Sequence, residues 1–456
     1  MSRLFNDLRH GAALRRSSGS RRRFRAALAI AVAAGLCASL SGCVSGLASG
    51  YAANPHKITY LTWENSTTNG LLDKAFAGYE SDGYTMQRLE VPASGFNQQI
   101  SSLSLAQKLP DFFWCNPGMA TTMGSEGLLF NWADWAKKNP KYFGFDTTKF
   151  SPGTIDPYYV TKDKLYGIPT LANTYGVYYN KKYLAAAHIP VPSTTWTWDD
   201  LFADAAKMKG VLGSTYGIND MAYDTNTVNV RSVGAGGRPL SPHPINGKEF
   251  TPDEHFIQAT EQFAQAFKAG DFTPPSGNAA ANDTAAFASG KLGMMYGGQW
   301  LAVTFLQGNM KPSDWGWAPL PTGSVKVQIN DPQGLCSPAN VENPEETWKA
   351  ISYLQTHVFP KVLPASPVAP PAYAPSAPSY YAALNKQGAT SVSAGVKYVM
   401  GVKQKLIGYI GPATTPVANI TNSTWLDILE SKIPASTGVP GMFQQINQAI
   451  KENPSY

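Results

Sequence analysis

Lys57-Ile58-Thr59-Tyr60-Leu61-Thr62-Trp63-Glu64-Asn65 opens the stretch that decides the fold class, and Pro110-Asp111-Phe112-Phe113-Trp114-Cys115-Asn116 closes it. The first run alternates and stops at polar residues, which predicts a strand opening into a loop. Leu71, Leu72, Ala75, Phe76 and Tyr79 then recur at helical spacing over 70–79. A second strand is predicted over 84–91, a helix over 96–109 and a buried strand over 110–115. Strands alternating with helices imply βαβ units and a parallel sheet. In such sheets ligands bind beyond the carboxyl ends of the strands. That rule puts Trp63, Glu64, Asn65 and Asn116 on one rim.

Further along, a strand is predicted over 175–179 and another over 216–219. Thr194-Thr195-Trp196-Thr197-Trp198-Asp199-Asp200-Leu201 predicts a Thr cap before a helix to Met208. The run 285–291 predicts a helix end with Gly290 as its cap, followed by a strand over 292–296. Gly297-Gly298-Gln299-Trp300 turns away from that strand, and 315–320 is a short strand stopped by Pro321. Residues 360–378 hold seven prolines in nineteen positions, a density that excludes a regular helix or a central strand. An extended crossing segment or a surface loop is expected there.

The chain has 456 residues, 43% hydrophobic and 12% aromatic, ample for a sizeable core. Its formal charge of +6 is local. Residues 1–42 hold eight Arg and one acid, Asp7; removing them from 37 basic and 31 acidic residues leaves 29 and 30. A body that nearly neutral lacks the electrostatic footprint of a nucleic-acid binder. Arg21-Arg22-Arg23-Phe24-Arg25, the apolar run 26–40 and Leu40-Ser41-Gly42-Cys43 have the three regions of a secretory signal. The L-S-G-C ending resembles a bacterial lipobox, which implies a signal over 1–42 and lipidation of Cys43. Ser20-Arg21-Arg22-Arg23-Phe24 also resembles a twin-arginine export signal, although any basic n-region gives the same letters. Residues 43–55, small, polar and uncharged, are expected to form a flexible tether. Of four cysteines, Cys115 and Cys336 remain in the body. They are too few and too isolated for a Cys-type metal site, and either a disulfide or two buried thiols fits an exported chain.

The motif order P-D-F-F-W (110–114), E-G-L-L (126–129), Y-G-I-P (166–169), Y-Y-N-K (178–181), P-S-T-T-W-T-W-D-D-L (192–201), A-F-A-S-G-K-L-G-M-M (286–295) with Gly298 to Trp300, A-P-L-P (318–321) and V-L-P-A-S (362–366) resembles the sugar-binding solute-binding proteins of ABC importers, the family of maltose-binding protein. The resemblance implies an α/β, two-lobed periplasmic-binding-protein-like (type II) fold with a central ligand cleft and hinge crossings. Crossings are expected near 171–174, near 318–321 and after Val341. Lobe one is then 56–172 plus 319–345, and lobe two 173–318 plus 346–456. Cys115 and Cys336 fall on neighbouring strands of lobe one by the same analogy, which keeps a disulfide open. The implied function is capture of a carbohydrate and its delivery to membrane permease subunits, by a monomer without cofactor or catalysis.

Sugars present apolar faces and a fringe of hydroxyls, so their sites need flat aromatics and polar side chains. Trp300 matches the stacking Trp of the family's G-x-W motif. Trp425 lies near the family position of a second aromatic, expected at a helix start after Asn422-Ser423-Thr424. Asn173 and Tyr175 fall at the first crossing, and Tyr223 and Asp224 in a loop that matches a region of ligand-binding aromatics. Cys115-Asn116-Pro117 departs from maltose-binding protein, so the glycan contacts differ there.

Other readings have less behind them. A glycan-cleaving enzyme needs paired carboxylates, for which Glu64 and Asp224 are the available residues. A polyamine, glycerol phosphate or peptide would keep the fold and change the ligand. The histidines show no HExxH or paired spacing, and neither a G-x-S-x-G elbow nor a P-loop occurs.

Overall fold

The computed structural model describes residues 56–454 apart from 82, 92–94, 140–146, 162, 241–248, 276–279 and 309. The signal over 1–42, Cys43 and the tether over 43–55 lie outside the described residues.

Among the described residues twelve strands form four sheets: β1 (Lys57–Leu61), β2 (Thr85–Arg88), β3 (Phe112–Cys115), β4 (Tyr159–Thr161), β5 (Lys164–Leu165), β6 (Ile168–Asn173), β7 (Tyr175–Asn180), β8 (Met294–Gly298), β9 (Trp315–Pro319), β10 (Val327–Ile329), β11 (Asp331–Cys336) and β12 (Gln404–Leu406). The main sheet has the order β2-β1-β3-β11-β6. Helices Ser66–Phe76 and Phe96–Leu105 carry the chain between its first three strands, which run parallel. Phe112, Phe113, Trp114 and Cys115 are all buried, as a central strand covered on both faces requires. The expectation of a wholly parallel sheet is corrected at β11, which is antiparallel to both β3 and β6. Helical crossovers impose parallel pairing only on successive strands, and β11 returns from far downstream.

The second sheet, β8-β7-β9, is antiparallel throughout. Along β7 the side chains alternate between two cores. Tyr178 joins the core that contains Ile58, Trp114 and Trp348, while Val177 and Tyr179 join the core of Trp198, Phe263 and Trp425. Helix Trp198–Met208 starts on a capping box between Thr197 and Asp200, and Gly290 takes the left-handed conformation (φ 73°) just beyond helix Ala280–Ala288. The strand expected over 216–219 is reduced to one bridge, Ile218 to Phe272.

The chain leaves the main sheet at Thr174, between β6 and β7, and returns at Asn330, between β10 and β11. The return is later than the expected 318–321, because Leu320, Val327 and Ile329 are still buried in the second core. Helix Pro344–Tyr353 and the chain up to Tyr373 pack on the main sheet, with Trp348 1% exposed and Gln355 Nε2 donating to the Pro169 carbonyl at 2.7 Å. A lobe boundary at 345/346 therefore cuts through one packed unit. The proline-rich stretch is neither a crossing nor a surface loop. Pro378 sits in the first turn of helix Ala377–Lys386, where a missing N–H costs nothing, and Pro360 falls where the π-helical turn Leu354–Val358 passes into helix Phe359–Val362. Between them the backbone lies beside β6, where Ala172 N donates to Pro370 O and Ala372 N to Thr170 O.

Cys115 and Cys336 are bonded across β3 and β11, with Cα atoms 5.8 Å apart and a sequence separation of 221.

Candidate ligand-binding site

Register places the site. Glu64 follows β1, Asn116 follows β3, Asp331 begins the antiparallel β11, and Asn173 ends β6 directly opposite Asp331. In the strand order β1-β3-β11-β6 these four residues form a row along one edge of the main sheet. One residue past Thr174, Tyr175 opens β7 opposite Gly298, the last residue of β8. The row and this corner of the second sheet therefore meet at the first crossing.

The corner is aromatic. Tyr175 stacks on Tyr296 with ring centroids 5.3 Å apart and planes 13° from parallel. Trp300 stands edge-on to Tyr175 at 5.2 Å, and Tyr223 edge-on to Tyr296 at 6.0 Å. Trp300 folds over Gly298, where a Cβ would come within 2.0 Å of the indole. Only glycine admits the ring there. Gln299, wholly buried, locks the loop: its Oε1 accepts from Thr174 N at 2.8 Å and its Nε2 donates to Asn173 Oδ1 at 3.1 Å.

Asp331 accepts from Gln333 Nε2 at 3.0 Å, and the nearby Tyr175 hydroxyl favours its ionised form. Burial, helped by the charge of Asp224, pushes its carboxyl up to about 7. Burial also raises Asp224, whose Oδ1 accepts from Asn226 N at 2.9 Å and whose Oδ2 accepts from the Tyr296 hydroxyl at 3.4 Å. Glu64 is pushed up to about 7 by burial. The Trp114 indole N–H favours its ionised form, although Trp114 Nε1 makes no hydrogen bond of normal geometry.

Three of the expected residues also cap helices. The side chains of Asn65, Asn116 and Asp224 accept from Thr68 N, Met119 N and Asn226 N, closing the N-termini of helices Ser66–Phe76, Pro117–Ser125 and Thr225–Gly234. All three helices thus begin at the rim. Trp63 is half-buried and edge-on to Phe96 at 5.2 Å. Trp425 departs from expectation: it lies late in helix Thr414–Leu429, not at a helix start, is 1% exposed, and donates its Nε1 to the Ala222 carbonyl at 2.7 Å. Asn422-Ser423-Thr424 is compatible with a helix interior, so the helix runs through it. Trp425 is core that holds up the loop carrying Tyr223. The two walls touch at one end, where Thr122 Oγ1 lies 3.5 Å from the Gly411 carbonyl.

Tyr296, Gln299, Asp331 and Gln333 were not among the residues expected from sequence. Tyr296 reads as core because its strand is buried, and Asp331 joins the rim only through the reversed register of β11. The one available signal was the polar Asn330-Asp331-Pro332-Gln333 run ahead of the apolar Leu335-Cys336. Two cavities, of about 380 and 450 Å³, lie elsewhere, one beside Asn229, Phe250 and Phe443 and the other beside Tyr60, Asp73 and Arg88. Neither includes the aromatic corner. Among the described residues no group of three His, Cys, Asp or Glu could hold a metal ion.

Residues 72–357 match the profile of the bacterial extracellular solute-binding proteins. The chain belongs to that family. Of solved structures, this solute-binding protein resembles an ABC substrate-binding protein of Listeria monocytogenes in complex with cycloalternan, at 15% identity and a TM-score of 0.72, covering 87% of this chain and 99% of that one. A Streptomyces glaucescens receptor, solved unliganded and with acarbose, gives 18% identity and a TM-score of 0.71, covering 87% and 99%. These likenesses establish the two-lobed fold. In sequence, an uncharacterised ABC transporter extracellular-binding protein of Pyrococcus horikoshii is 27% identical over 265 residues, 56% of this chain and 57% of its own length. A Brucella abortus chain classed only as a binding protein is 27% identical over 221 residues, 46% of this chain. The chain spans about half the length of the curated relatives it matches, 50% for the Brucella protein.

Proposed function

We propose that this solute-binding protein captures a carbohydrate outside the cytoplasm, without chemistry, and delivers it to the permease of an ABC importer while held to the membrane by lipid on Cys43. The observation that carries the reading is the corner of Tyr175 and Trp300, backed by the buried Tyr296 and set against Asp331 and Asp224. Flat rings suit the C–H faces of a sugar, and fixed acceptors suit its hydroxyls. The cycloalternan and acarbose complexes of proteins sharing the fold support the same ligand class. Trp63, Glu64, Asn65, Asn116, Asn173, Tyr175, Tyr223, Asp224 and Trp300 are the proposed contacts, with Trp425 acting from behind the Tyr223 loop. Closure about Thr174 and Asn330 would bring the walls onto the ligand, a population shift driven by tighter binding to the closed form.

Calorimetric titration with an oligosaccharide panel, paired with small-angle scattering, tests this. Binding with compaction and no consumption of sugar is expected. Steady turnover would transfer the case to the glycan-cleaving reading. For the anchor, Cys43→Ser should release the protein from the membrane fraction, since two acyl chains hold stably and none does not. A variant that stays membrane-bound would remove the lipid from the proposal.

A further inference from the structure

The acids of the corner have only neutral partners. Asp331 is met by Tyr175 and Gln333, and Asp224 by Asn226 and Tyr296. Among the described residues neither carboxylate makes an ion pair, and the like charge of Asp224 acts on Asp331. Tyr223, on the same wall, lies in the field of Asp224 and Asp331. Further along the rim stands Glu64, beside the buried and unpartnered Trp114 Nε1. The rings of Tyr175, Tyr223 and Trp300 complete the wall, with the buried Tyr296 stacked behind Tyr175.

Carboxylates taken out of water without a counter-charge are costly, and closing the cleft on a neutral ligand would strip away more water. A cation reverses the balance. It pairs with the acids and is attracted to the ring faces, most strongly when both are desolvated.

We propose that the ligand of this cleft is an amine-bearing carbohydrate, whose ammonium is held by Asp224 and Asp331 while its ring lies on the Tyr175–Trp300 corner. The inference rests on the carbohydrate reading above and narrows it. The groups that titrate or carry charge around Asp331 are Asp224, Tyr158, Tyr175 and Tyr223, and those around Asp224 are Asp331, Tyr175, Tyr223 and Tyr296. Binding of an ammonium therefore tightens as pH rises and the two acids ionise, whereas a hydroxyl in the same place gains no such charge pairing.

The test is calorimetry on the purified full chain with matched pairs that differ only by an amine for a hydroxyl: glucosamine and glucose, galactosamine and galactose, and the β-1,4-linked trimers of glucosamine and glucose. Spermidine serves as a cation without a sugar ring. The amine member of at least one pair should bind tenfold or more tighter than its partner, about 1.4 kcal/mol. That advantage should shrink between about 0.05 M and about 1 M salt and in Asp331→Asn. If Asp331→Asn fails to fold, the salt series on the unchanged protein decides. Equal or tighter binding of the neutral member in every pair that binds overturns the inference and leaves the carbohydrate reading standing. Spermidine outbinding every saccharide, or no saccharide binding in either form, overturns both.

Discussion

The Thr174 hydroxyl donates to the Ile329 carbonyl at 3.0 Å, tying the strand that leaves the main sheet to the strand that is about to return to it. Both residues are buried, and Thr174 N is held in turn by Gln299. The hinge and the Trp300 loop therefore share one hydrogen-bond chain. Thr174→Val keeps the shape and removes the donor, at a cost of about 1–3 kcal/mol for an unmet buried carbonyl. Thermal unfolding should show that loss, and scattering should show a wider ligand-free distribution. An unchanged melting temperature would mean that water or another donor replaces the hydroxyl.

Trp300 is half-buried, propped on Gly298 and touching Tyr175, so removing its ring exposes little core. In Trp300→Ala the affinity for a bound sugar should fall about ten- to a hundredfold, from roughly 1.5–3 kcal/mol of lost aromatic contact. Melting without ligand should stay near that of the unchanged protein. Strong destabilisation with intact affinity would place the ring in the core, the position Trp425 already occupies.

The contrast between those two tryptophans shows what the sequence could and could not reveal. The Trp300 assignment rested on a local pattern, a Gly-Gly turn after a buried strand, and local steric constraint is visible in sequence. The Trp425 assignment rested on a family position, and the helix start expected beside it fails because the helix begins at Thr414, just past Gly411-Pro412. The Thr197 capping box and the rim residues after β1 and β3 were legible for the same local reason. Asp331 was not, because it reaches the rim only by pairing with Asn173, 158 residues earlier, in a direction that no local pattern encodes. The proline-rich stretch misled for a related reason: its carbonyls and N–H groups are satisfied by β6, a partner remote in sequence.

The bond between Cys115 and Cys336 closes a sequence separation of 221 and joins two central strands. Chain-entropy reasoning for a loop that long gives about 5 kcal/mol. Reductant, or the double substitution Cys115→Ala with Cys336→Ala, should lower the melting temperature of the ligand-free protein by several degrees. Equal melting in both redox states would show that the strand pairing alone suffices.

Glu64 and Asp331 make ligand-free stability depend on pH with a definite sign. Both are held near 7 in the folded protein, above their ordinary carboxyl range near 4. Between those values the folded state binds more protons than the unfolded state, so this contribution to stability falls as pH rises. It is complete below about pH 4 and gone above about pH 7. Because Asp331 and Asp224 interact, the pair titrates together, and the readout belongs to both. Asp331→Asn removes one titration while keeping an acceptor for Gln333. The difference in unfolding free energy between pH 5 and pH 8, measured by denaturant titration, should therefore be smaller in the variant than in the unchanged protein. Other buried acids, Asp111, Asp204 and Asp283, contribute equally to both proteins and cancel in the comparison. Identical pH slopes would show that Asp331 is ionised and solvated in solution, with water reaching the corner beneath Tyr175.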